Sequence, residues 1–249
     1  MNTNRTCVSL TAIISFLAIL MWMVTGCASR TPTGHVVVSG SEAVITGAPA
    51  IDVENHNGSV TIIVDPTQPR PEVIAIPRGD SRSDPSHWTA ASMVDDAGHQ
   101  VLRVLSSDQS EGANARPIDM VIRLPSCGGV RVRNQGGIVV LTNVAGAIDV
   151  DNTLTRGDVR SIYLVTNQPL NSPVILRTNR GDVEARVPVG SSGRIEASAP
   201  RGRVAVRGIE APIHDVRLTH EFWTGILNNA SNDIRITSDA GNVSLSIMR

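Results

Sequence analysis

Lysine is absent from this chain of 249 residues: all 22 basic residues are arginine, set against 23 acidic ones for a net charge of −1. That balance excludes an electrostatic nucleic-acid binder and a polybasic membrane surface, because neither has a basic patch to act through. Aromatic residues are almost as scarce, with two Phe, one Tyr and three Trp. Phe16 and Trp22 fall in an N-terminal apolar run, so the folded body has to build its core from aliphatic side chains. The 41% hydrophobic content and mean hydropathy of +0.02 exclude a wholly disordered chain. Also missing are a Gly-x-Ser-x-Gly elbow, a phosphate loop, a dinucleotide fingerprint and any His-x-His or His-Glu-x-x-His pair. No catalytic residue, cofactor or metal site is assigned from the sequence.

The first 27 residues read as an address. Residues 1–6 are polar with one positive charge, Arg5, and residues 7–26 carry no charge and no proline. An n-region followed by an h-region is either a cleaved signal or a membrane helix of about 20 residues. Val24-Thr25-Gly26-Cys27 favours the former, because it resembles the lipobox of bacterial lipoproteins. The resemblance implies cleavage before Cys27 and lipid attachment to its thiol. Residues 1–26 are then a signal peptide and 27–34 a lipidated tether. Ala28 stands where an inner-membrane retention signal would place Asp, which favours the outer membrane. Cys7 leaves with the signal and Cys27 is blocked, so Cys127 is left without an intramolecular partner and reads as a small packed residue.

From residue 35 onward, short β-branched runs alternate with polar residues and are punctuated by Gly, Asn, Asp and Pro, which predicts an all-β domain over 35–249. Residues 35–117 are less regular, with a hairpin turn expected at Asp95-Asp96-Ala97-Gly98. Residues 118–249 are repetitive. Two places after Gly58, Gly136, Gly146, Gly157, Gly181, Gly193, Gly202 and Gly241 stand Val60, Ile138, Ile148, Val159, Val183, Ile195, Val204 and Val243. Short strands at such close spacing leave no room for a helical crossover. They predict a single-stranded β-solenoid, a stack of short strands displaced by about 4.8 Å per layer, with a β-sandwich as the alternative. A column of Val, Ile and Ala suits the narrow interior of the former.

Leu124-Pro125 followed by Gly146-Ala147-Ile148, Gly157-Asp158-Val159, Gly181-Asp182-Val183 and Gly241-Asn242-Val243 resembles the adhesin-like family of bacterial envelope proteins. The resemblance spans about residues 50–249. It implies a β-solenoid-like body on the envelope, with no established chemistry and no catalytic residues to carry over. The segment from Gly208 to Asp233 departs from the pattern, with His214, His220, Phe222 and Trp223. Phe222 and Trp223 form a candidate interaction surface or, alternatively, a cap over the end of the stack.

Arg-Gly-Asp occurs at 78–80, 156–158 and 180–182. Glycine and aspartate at these positions read as turn chemistry in preference to receptor binding. Asp149, Asp151, Asp158 and Asp182 lie near Arg156, Arg160 and Arg180 and read as a self-neutralising face. The expected function is therefore a non-enzymatic envelope lipoprotein, bound to the membrane through Cys27, that contacts an envelope protein or glycan and no nucleic acid. The alternatives are a polysaccharide-active enzyme and a periplasmic scaffold.

Overall fold

The computed structural model describes residues 35–36, 47–77, 88–106, 117–153, 160–208 and 212–249. The signal, the tether with Cys27, two of the Arg-Gly-Asp triplets and Val159 lie outside them. Gly34–Arg249 forms a compact unit by itself.

The described residues are all-β, in two mixed sheets that do not close into a barrel. One sheet has nine strands, in the spatial order β1 (His35–Val36), β4 (Glu72–Pro77), β7 (Ile118–Leu124), β3 (Val60–Val64), β9 (Val139–Thr142), β11 (Ile162–Val165), β13 (Val183–Pro188), β19 (Val243–Met248) and β15 (Val204–Arg207). The other has ten, in the order β16 (Ile213–Leu218), β17 (Phe222–Leu227), β14 (Gly193–Ser198), β18 (Asp233–Ser238), β12 (Val174–Thr178), β10 (Ala147–Asn152), β8 (Gly129–Asn134), β2 (Ala50–Asn55), β6 (Gln100–Ser106) and β5 (Trp88–Val94). From β7 to β15 the chain changes sheet at every step. Neighbours from β7 to β15 and from β14 to β6 pair in parallel. The strands at the ends, β1, β4, β5, β16 and β17, pair antiparallel.

Period-two alternation explains the layers. In β3 the pattern runs buried, half-buried, buried through Val60-Thr61-Ile62-Ile63-Val64, and β10 repeats it with Ile148 and Val150 inward. Inward residues of both sheets form one buried cluster that is almost wholly aliphatic, as the shortage of aromatics demands. Registers hold like on like: Ile51, Val130, Ile148, Val174, Ile234 and Ile195 occupy one rung across the ten-strand sheet.

Two expectations change. The single column of Val and Ile divides between the sheets, because each repeat is a pair of strands. Val183, Val243 and Val204 share a rung of the nine-strand sheet, while Ile195 belongs to the other. The repeat glycine of β9 is Gly137 and not Gly136. Ile138 is 38% exposed, whereas Val139 and Leu141 are fully buried, so the pattern slips by one residue there. The hairpin turn between β5 and β6 stands as expected. Asp95 Oδ1 accepts the His99 and Ala97 amides at 2.7 and 2.9 Å, which holds its carboxyl below the usual carboxylate range.

Candidate interaction surfaces

The two outer faces differ in chemistry. On the ten-strand sheet, Arg103, Asp52, Arg131 and Asp149 follow one another along a rung, and Glu54, Arg133, Asp151 and Arg177 along the next. Signs alternate at almost every step, which is favourable for side chains directly across a ladder. Arg133 Nη2 sits 2.5 Å from Asp149 Oδ2, and that hydrogen bond raises the Arg133 pKa above its ordinary value. The expected self-neutralising face is therefore present at Asp149 and Asp151. The arginines that answer them are Arg131, Arg133 and Arg177.

On the outer face of the nine-strand sheet one rung carries no charge over five strands. That rung runs Ile74, Val121, Thr61, Val140 and Tyr163, and the next carries Ile63, Thr142 and Val165. These side chains are half-buried by their neighbours, and Val165 is 36% exposed. Charge stands beside these apolar rungs on β4 and β7, where Glu72 lies 3.7 Å from Arg123 and Asp119 shares the outward side, and on β13, where Glu184 lies 2.6 Å from Arg186. Sequence reasoning missed this face. Its signal was legible as strands whose alternate residues are Ile, Val, Thr and Tyr, where the other sheet has Asp, Glu and Arg.

The third surface is the end formed by β14 to β17. The hairpin of β16 and β17 extends the ten-strand sheet past β14, while the nine-strand sheet stops at β15. Trp223 pairs with Ala197 and is only 5% exposed, and its ring lies over Gly225, where a Cβ would come within 2.5 Å of it. Phe222 is half-buried on the opposite face. The two predicted aromatics are thus neighbours in sequence that point apart, Trp223 into the core and Phe222 outward. Exposed apolar groups here come instead from β16, with Val216 at 50% and Leu218 at 67%. A bulge between His214 and Arg217, with Asp215 at φ 54°, opens a shallow hollow lined by Arg194, Arg217, Thr224 and Ile226.

Cys127 is buried, donates to the Gly129 carbonyl at 3.1 Å, and has its thiol pKa pushed up by burial. In the described Arg-Gly-Asp, Asp182 Oδ1 accepts the Asn242 amide at 2.7 Å and so ties two turns together. Among the described residues no group of three or more His, Cys, Asp or Glu converges on a metal position.

No family model and no curated protein matches this chain. Two solved structures do. A "putative cell adhesion protein" from Clostridium sporogenes is 14% identical, with a TM-score of 0.56 over 86% of this chain and 96% of its own. A "putative adhesin" from Bacteroides fragilis is 12% identical, with a TM-score of 0.32 over 82% and 94%. The first of these has the same fold.

Proposed function

We propose that this chain is a non-enzymatic envelope lipoprotein, held to the outer membrane by lipid on Cys27, whose stacked strands present surfaces for adhesion to a protein or glycan. The observation that carries the reading is the division of the surface into a charge-neutralised face, a face with apolar rungs and an open end, arranged on a fold shared with a cell-adhesion-named protein. Such surfaces offer area and edges for contact. An acid–base enzyme needs titratable groups converging on one point. In the same reading the two sheets are the walls of a flattened β-solenoid, since hairpin sandwiches are built from antiparallel neighbours whereas the central strands here are parallel.

Two measurements test the proposal. Metabolic labelling with a fatty acid is expected to mark the wild type in the membrane fraction and to leave Cys27→Ser unmarked; equal labelling of both would remove the anchor. Incubated with envelope polysaccharide, the protein is expected to release no new reducing ends. Sustained release would make it an enzyme.

A further inference from the structure

We infer that the open edge of β15 binds an extended segment of a partner protein, in which acidic and apolar residues alternate, as a further strand of the nine-strand sheet. This deepens the adhesion reading, on which it rests, by naming the kind of partner and the place where it docks.

The end of the stack is uneven. The ten-strand sheet continues through β17 and β16, whereas the nine-strand sheet ends at β15, whose one ladder partner among the described strands is β19. In that parallel ladder the Val243 amide donates to the Arg203 carbonyl. Arg203, Ala205 and Arg207 therefore turn their backbone groups toward β19, and Val204 and Val206 turn theirs to the free side. The hairpin tip meets the first of these, since the Val204 amide donates to the His220 carbonyl at 3.1 Å. Beyond it no described strand pairs with the Val206 amide and carbonyl. An edge with groups so arranged is a template for a strand, and strand addition is a recurrent mode of peptide recognition. A glycan has no alternating N–H and C=O at strand spacing, so the ladder selects a polypeptide.

The side chains say what that polypeptide carries. On its outward side β15 shows Arg203, Ala205 and Arg207, all exposed, beside Asn242, Ser244 and Ser246 of the neighbouring chain segment. The carboxylates beyond are engaged: Asp182 by the Asn242 amide at 2.7 Å and Glu184 by Arg186 at 2.6 Å. Neither Arg203 nor Arg207 forms an ion pair among the described residues. Carboxylates directly across from them on an added strand would be favourable, and they would stand four residues apart, as the arginines do. On the core side, the pairing of Leu218 with Trp223 places Leu218 inward, yet it is 67% exposed, because the nine-strand sheet ends short of it. Apolar residues on the inward side of the added strand would cover it beside Val204 and Val206. A second copy does not supply this pattern, since β5 has no carboxylate and β16 has Asp215 alone.

The probe is a fluorescein-labelled peptide, Asp-Val-Thr-Val-Asp-Val-Thr-Val-Asp, whose pattern is the same in both directions. It is titrated with residues 34–249, the compact unit that holds the whole core. Anisotropy is expected to reach half-saturation at about 10 to 100 μM, as suits a contact smaller than a standard interface. A peptide with Lys for each Asp, and one with Pro for the two middle Val, should each bind about tenfold more weakly. Both controls are read on the wild type, so they hold even if a variant fails to fold. Arg203→Glu combined with Arg207→Glu should exchange the preference and favour the Lys peptide. Leu218→Glu should weaken the Asp peptide about tenfold, while Arg131→Glu on the other sheet should leave it unchanged.

No binding of the Asp peptide, equal binding of the Pro peptide, or an equal loss on Arg131→Glu would overturn the inference. So would self-association of the protein that Leu218→Glu abolishes, which would make the edge a contact between copies. Fatty-acid labelling at Cys27 and the polysaccharide assay are indifferent to all of these outcomes, so a failure here is distinguishable from a failure of the lipoprotein reading.

Discussion

At the residue scale, the interior is less uniform than its aliphatic composition implies. Six neighbouring strands of the ten-strand sheet, from β6 to β18, end on their inward side in a small polar residue (Ser106, Asn55, Asn134, Asn152, Thr178 and Ser238), and these stack into a buried row. Ser106 Oγ donates to Asn55 Oδ1 at 2.8 Å, Asn55 Nδ2 to Asn134 Oδ1 at 3.1 Å, and Asn134 Nδ2 to Asn152 Oδ1 at 3.1 Å. Spare donors reach turn carbonyls: Asn55 Nδ2 to Ile118 at 3.3 Å, Asn152 Nδ2 to Gly137 at 3.2 Å, and the Thr178 hydroxyl to Arg160 at 2.8 Å. An amide carries both donor and acceptor, so it passes the pattern from layer to layer, and in a low-dielectric interior a missing member strands its neighbours. Asn134→Ala should therefore cost about 3 kcal/mol, while Gln135→Ala, at an exposed neighbour, should stay within about 0.5 kcal/mol. Denaturant titration of both variants checks this, and equal midpoints would mean the ladder contributes nothing. The ladder was legible, because Asn55, Asn134, Thr178 and Ser238 each stand three places before Gly58, Gly137, Gly181 and Gly241. It was missed because Asn and Ser beside Gly read first as turn residues, and because aligning Gly136 instead of Gly137 broke the spacing.

At the scale of the elements, the repeat glycines combine torsion with stacking: Gly58, Gly137, Gly146, Gly181 and Gly193 have positive φ, whereas Gly202 and Gly241 answer to stacking alone. A Cβ on Gly241 would lie 2.1 Å from the Gly181 carbonyl oxygen, and one on Gly202 would lie 1.9 Å from that of Gly241. Neither needs a positive φ. Each is glycine because the turn of the next layer occupies the place of its side chain. Gly98 in the β5–β6 hairpin is the opposite case, with φ at +83° and open space around it. Gly241→Ala has to push two layers apart and should cost about 3 kcal/mol, whereas Gly98→Ala carries only the left-handed backbone penalty of about 1 kcal/mol. Thermal melts that order the two variants the other way would mean the turns are not in register. The strands themselves were legible from period-two alternation, and the hairpin from its Asp-Asp-Ala-Gly turn. Which sheet each strand joins was not, because alternation marks an inward and an outward side without saying which of two facing walls the strand belongs to.

At the scale of the whole molecule, chain order and spatial order part company. Taken as two-strand units, the stack runs β6–β7, β2–β3, β8–β9, β10–β11, β12–β13, β18–β19, β14–β15. The first unit made, β2–β3, sits inside β6–β7, and the last, β18–β19, is inserted between β12–β13 and β14–β15. Nothing in the sequence signals this, since every unit presents the same aliphatic rung to either neighbour and the registers would accept other orders. The consequence is mechanical. A stack that adds layers in chain order loses only an end layer when its terminus is trimmed and stays folded, because each layer contacts only its neighbours. Here, removing residues 228–249 takes away an interior layer: β12 loses one of its two parallel neighbours, β14 loses its only one, and β15 loses its only ladder partner in the sheet. A chain ending at Leu227 is therefore expected to lose its cooperative thermal transition, followed by circular dichroism on residues 34–227 beside 34–249. A transition within about 5 °C of the full body would mean that β14 closes directly onto β12, and that the inserted layer is an addition to the fold in place of a part of its frame.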